Sequence, residues 1–179
     1  MVIVLTSNSV INLDSEIVYG ITARQIEFYK EAAVVCFYKQ DHTSGVKMEF
    51  SGIFNGEYIL VWNNFPRDSE HSWKDLQEAI EYGACAIACI MITKITPFNY
   101  IERSQKGTGF DFFIGNTSDE TLIFNNKVKL EVSGILSGDD TDINNRVKLK
   151  TNQINKYDNN SGYVFVVEFS KPKSCIKEV

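Results

Sequence analysis

The chain has 179 residues, 44% of them apolar and 12% aromatic, with a formal net charge of −5. That length fits one domain with a small extension, and the apolar content excludes global disorder. The negative total excludes a protein that coats nucleic acid by bulk charge alone, while leaving room for a local basic stripe.

Residues 1–20 are mixed and rich in Ser and Asn, and carry at most one short strand. Residues 22–38 read as a helix capped by Thr22, with Ile26, Tyr29, Ala33 and Phe37 recurring on one face. Alternating segments at 46–50 and 58–62 flank Asn55-Gly56, a hairpin turn signal. Residues 1–71 are therefore expected to form a helix-and-hairpin extension packed on a core spanning 72–179. Ser72 and Asp75 predict a capping box for a long helix that ends near Lys94 and is closed by Pro97. Its first turns carry Asp75, Glu78 and Glu81; its later turns, rich in Ala, Cys and Ile, must be buried. Strands are expected at 99–103, 110–115 and 127–135, with a polar loop at 116–120. Gly138-Asp139-Asp140 breaks the chain before a helix over 142–157. A loop at 158–162 then leads into 163–169, whose unbroken apolar run suits a strand buried on both faces. The fold class is mixed α/β, and the core order is helix, three strands, helix, strand.

Several chemistries are poorly supported. The four cysteines, Cys36, Cys85, Cys89 and Cys175, form no CxxC pair, and His42 and His71 are the only histidines, so zinc spacing is lacking. Cys85 and Cys89 share a helix face and fit core packing. The longest apolar run, 82–92, is shorter than the about 20 residues a bilayer requires, and the first residues lack the basic flank of a signal peptide. The expected location is the cytoplasm, with no membrane partner. Lys106-Gly107-Thr108-Gly109 lacks the first glycine and trailing Lys-Ser/Thr of a P-loop and precedes a strand, so it reads as a tight turn.

The carboxylates are more informative. Asp111 stands inside Phe110-Asp111-Phe112-Phe113, and Glu131 inside Leu130-Glu131-Val132, each a carboxylate in an apolar strand. Burying an isolated carboxylate is costly, so each needs a cation, a metal or several donors. Two adjacent strands carrying one carboxylate each can bring both to one magnesium or manganese ion. The bland alternative for Glu131 is an exposed face shared with Lys127, Lys129 and Ser133, which all point one way on a strand. For Glu78 and Glu81 the alternative is service to the helix dipole. Trp62 and Trp73, on either side of a loop, fit packing roles.

The run of Gly109, an apolar residue, Asp111 and three apolar residues, followed after a gap by Val128-Lys129-Leu130-Glu131, resembles the PD-(D/E)xK nucleases. The resemblance covers about 72–170 and implies a restriction-endonuclease-like αβββαβ core. Gln153-Ile154-Asn155-Lys156-Tyr157 is similar to the Q-x-x-x-Y motif of the RecB-like branch, which implies site roles for Gln153 and Tyr157. It also implies metal ligands at Asp111 and Glu131, with Glu78 or Glu81 assisting from the first core helix. The strings YIERSQKGTGFDFFIG and KLEVSGI are further similar to a group of bacterial proteins, and that likeness carries no activity with it. The family's third residue, a lysine two positions after the glutamate, is Ser133 here. On a helical wheel Arg146, Lys150, Gln153 and Tyr157 fall within roughly 60° of arc, beside the apolar stripe Ile143, Val147 and Ile154. Lys150 is therefore the candidate replacement, although Arg146, Lys148 and Lys150 also suit a solvated face.

Two functions follow as expectations. One is a magnesium- or manganese-dependent nuclease or phosphodiesterase acting on DNA or RNA, a role that suits bacterial defence or DNA handling. The other is a catalytically inactive binding or assembly subunit of the same fold, with a nucleic-acid or protein partner.

Overall fold

The first helix forms nearly as its sequence dictates. In the computed structural model, which describes residues 9–63, 67–116, 127–156 and 161–179, Thr22 caps α1 (Ala23–Lys39). Its hydroxyl accepts from the Gln25 amide at 3.3 Å. Before it lies β1 (Ser9–Asn12), and after it the hairpin of β2 (Val46–Gly52) and β3 (Gly56–Val61). A short helix, α2 (Ser69–Ser72), precedes α3 (Leu76–Ile95). Ser72 belongs to α2, so the expected capping box with Asp75 does not form. Asp75 caps α3 unaided, its carboxylate accepting from the Gln77 and Glu78 amides at 3.0 and 3.4 Å. Then come β4 (Tyr100–Arg103), β5 (Phe112–Gly115), β6 (Val128–Ile135), α4 (Asp140–Asn155), β7 (Gly162–Glu168) and β8 (Lys173–Glu178). A reciprocal capping box does occur, at Asp139 and Asp142, and it starts α4 two residues earlier than the pattern predicted.

The eight strands form one mixed sheet in the order β1-β3-β2-β8-β7-β6-β5-β4. Within it β4–β5 and β5–β6 are antiparallel and β6–β7 is parallel, with α4 as the crossover that parallel neighbours require. The hairpin joins this sheet through β8, which pairs parallel with β2 and antiparallel with β7. Strand β8 was not foreseen: Lys173–Glu178 contains one large apolar residue, Ile176, too few to mark a strand.

Helices α1 and α3 cover one face of the sheet and α4 the other. On the first face Leu130, Val132, Tyr163, Phe165 and Val167 pack with the apolar residues of α1 and α3. On the second, Val164 and Val166 meet the stripe Ile143, Val147 and Ile154. Strand β7 is therefore buried on both sides, as its unbroken apolar run required. Cys85 and Cys89 are core residues of α3. Two glycines set the approach of α3. A Cβ on Gly83 would come within 2.9 Å of the Ala33 backbone in α1, and one on Gly134 within 2.4 Å of the Ile80 carbonyl oxygen. Only glycine lets α3 sit this close to both its neighbours. Among the described residues no helix is long and apolar enough to cross a membrane.

Candidate functional site

The alternation of β6 sends Leu130 and Val132 into the core, and Lys129, Glu131 and Ser133 towards α4. The lone-face reading of Glu131 is thereby corrected: α4 covers that side, and Glu131 is 2% exposed.

Asp111 reaches the same place by a different route. The sequence puts it within a strand, but β5 begins only at Phe112 and Asp111 occupies a bend just before it. The turn ahead of it, with Gly107 and Gly109 at positive φ, is tied by Ser104 and Thr108 hydroxyls donating to the Phe110 carbonyl. Phe112 still pairs with Leu130, but the Asp111 amide donates to the carbonyl of that same residue at 3.1 Å, one place out of register. The regular ladder stops there, and the Asp111 carboxylate takes over the next amide, accepting from Val132 N–H at 2.9 Å. A side chain thus replaces a backbone acceptor where the two strands part.

The Asp111 and Glu131 carboxyls lie close enough for each to shift the other's titration. Burial pushes both upward, and the Asp111 charge raises Glu131 further, to about 7, against the ammonium of Lys150. For Asp111 burial also dominates, over the Val132 amide and the positive charges of Arg103 and Lys150. Two carboxylates in contact share a proton until a cation displaces it.

Helix α4 supplies that side's cations. Lys150 Nζ donates to Glu131 Oε1 at 2.5 Å and to Gln153 Oε1 at 3.2 Å. Gln153 Nε2 donates to the same Glu131 oxygen at 3.1 Å and to the Gly109 carbonyl at 3.1 Å. Gln153 therefore links α4, β6 and the glycine turn. One turn earlier, Arg146 Nη1 donates to Ser133 Oγ at 2.8 Å and to the Gly134 carbonyl at 3.3 Å. The serine that stands in place of the strand lysine thus anchors an arginine.

These groups open onto a cleft of about 790 Å³ bounded by α3, α4 and the 104–111 turn. Glu81 lines it and is exposed, accepting from the Gln77 amide side chain at 3.0 Å. Glu78 lies outside the cleft wall and is exposed. Of the expected site residues the structure thus assembles Asp111, Glu131, Lys150 and Gln153, with Glu81 at the rim and Glu78 elsewhere. Tyr157 lies outside the described residues. Among those residues no group of three or more His, Cys, Asp or Glu side chains clusters as a metal cage. A magnesium-type ion does not need one, since it commonly takes one or two carboxylates and keeps several waters.

Sequence reasoning missed two residues. Arg146 was on the correct wheel face and could have been found by asking what Ser133 would bond. Arg103 could not: it ends β4 and reaches across α3, donating to Tyr29 Oη at 3.0 Å and lying 5.0 Å from the Phe112 ring centroid. Its charge also faces Asp111 and the buried thiol of Cys85. Burial holds the Cys85 thiol well above the ordinary range, which removes it as a nucleophile. No protein-family model matches the chain, and no curated protein or solved structure matches it either.

Proposed function

We propose that this chain is a metal-dependent nuclease of PD-(D/E)xK type, cutting phosphodiester bonds in DNA or RNA. The observation that carries the reading is that the Asp111 and Glu131 carboxyls come together where β5 and β6 part, in an open cleft, with Lys150 on Glu131. The element order from α3 to β7, with two antiparallel pairings and one parallel, agrees with the αβββαβ core implied by the sequence resemblance. The donor set fits a hard divalent cation: two neighbouring carboxyls, both raised by burial, offer oxygen ligands whose charged forms such an ion would stabilise.

Magnesium or manganese held by Asp111 and Glu131 would lower the pKa of a bound water and offset charge on the phosphate. The protein's own groups account for the rest. Val132 N–H fixes the Asp111 carboxylate in the cleft wall. Lys150 brings its ammonium to the pair, in the part of the missing strand lysine, and Gln153 holds it in position. Arg146, anchored by Ser133, adds a guanidinium suited to a phosphate oxygen. Tyr157 is retained in this reading as a substrate contact from the sequence motif alone. Glu81 is the candidate for an assisting acid at the rim, and Glu78, outside the cleft, is not.

Manganese-dependent cleavage by the wild type that vanishes in Asp111→Ala, with the fold intact, is the expected result. Cleavage retained by that variant overturns the assignment. A second reading, a non-catalytic binding or assembly subunit, is favoured by one observation: Lys150, Gln153 and the Val132 amide already satisfy the acidic pair. It requires that manganese leave the melting temperature unchanged, whereas specific binding to the native state must raise it.

A further inference from the structure

The cleft does not end at the carboxylates. Tyr82 and Arg103 form walls of both the cleft and a second hollow of about 460 Å³, which continues to Arg24, Gln25 and Phe28 on α1. The two make one surface running from the carboxylate pair across α3 to the start of α1.

Aromatic rings and cations alternate along it. Phe28 is 45% exposed, unusual for a large ring beside a full core. It is held 4.7 Å from Trp73 and 5.1 Å from Tyr82, centroid to centroid. Tyr82 in turn stacks on Tyr29 at 5.4 Å with 10° between planes, and the Tyr29 hydroxyl is fixed by Arg103 and Gln25. The rings are rigid, and Phe28 keeps part of its surface in water. Charge follows the same path. Arg24, Arg103, Lys106, Arg146 and Lys150 line the joined hollows against Glu81, Asp111 and Glu131. That is five cations to three carboxylates in a chain whose total is −5. Glu27, three residues on from Arg24, is ion-paired with Lys30 at 2.7 Å.

We propose that this surface is a track for a single-stranded polynucleotide. Unpaired bases stack on Phe28 and Tyr82 while phosphates pass Arg24 and Arg103 on the way to the carboxylate pair. Ring platforms discriminate in favour of single strands because in a duplex the base faces are already occupied by one another. Every base has a π-face, so the track reads strandedness and not sequence. What happens at its end rests on the nuclease reading; binding along it does not.

The test is fluorescence anisotropy in EDTA, where no cleavage can occur, with short labelled oligothymidylate, oligouridylate and a blunt duplex of equal length. Wild type is expected to bind at least one of the single strands about tenfold or more tightly than the duplex. Phe28→Ala, with its fold checked by circular dichroism, is expected to weaken that binding roughly 5- to 100-fold. Arg24→Glu should reduce the slope of log affinity against log salt by about 0.7 or more, one lost phosphate contact on a single strand. Equal affinity for duplex, no binding to either single strand, or variants binding like wild type would overturn the proposal. Phe28-dependent binding without manganese-dependent cleavage would sink the nuclease and keep the track. Cleavage of single strands unaffected by Phe28→Ala would do the reverse.

Discussion

Replacing Glu131 by glutamine isolates the electrostatic strain at the centre of the site. The carboxyl is 2% exposed and is raised from 4.5 to about 7, first by burial and then by the charge of Asp111. At about 1.36 kcal/mol per pH unit, that displacement corresponds to about 3 kcal/mol. The folded protein binds the proton more tightly than the unfolded chain, so nothing is lost below the unfolded value. Stability then falls as pH climbs, and the full loss is reached once pH passes about 7. Glutamine keeps the shape and removes the titration. Lys150, whose side chain is 20% exposed, can turn its freed ammonium towards water. Urea unfolding of both proteins between pH 5 and 8, followed by the fluorescence of Trp62 and Trp73, gives the comparison. The variant should gain on wild type by about 3 kcal/mol across that range. A difference that stays flat with pH would refute the shared-proton account of the site.

Three further outcomes are expected. Manganese binding at pH 6 should release about one proton, because the ion replaces the one held between Asp111 and Glu131; calorimetry in buffers of different ionisation enthalpy reads the number, and zero would exclude this pair as the ligands. Lys150→Met should lower cleavage by roughly 10²- to 10³-fold while manganese still binds, as expected for a group that stabilises developing charge; an undiminished rate in single-turnover assays would remove Lys150 from the mechanism. Gly134→Ala should cost about 3 kcal/mol in urea unfolding, since its Cβ meets the Ile80 carbonyl oxygen at 2.4 Å and backbone cannot move aside cheaply. A wild-type unfolding midpoint would show that α3 is free to shift.

By itself the sequence determined what local periodicity can encode. A 3.6-residue repeat located α1, a cap and the closing Pro97 located α3, and helical spacing put Lys150, Gln153 and Arg146 on one face of α4. The alternation in β6 put Glu131 and Ser133 on one face, and the unbroken apolar run of β7 marked a strand covered on both sides. Strand order, register and burial depend on contacts between residues far apart in the chain, which no local pattern records. Only the tertiary structure could show that β8, despite Lys173 and Lys177, joins the hairpin to the rest of the sheet. It also decided that α4 covers the Glu131 face, where the sequence allowed an exposed one. The ladder's end at Phe112 let Asp111 capture the Val132 amide, and Ser133 found its partner in Arg146. Asp111, just ahead of β5, and Glu131, within β6, became neighbours through long-range pairing of the strands, and burial withheld the water that favours their charged forms.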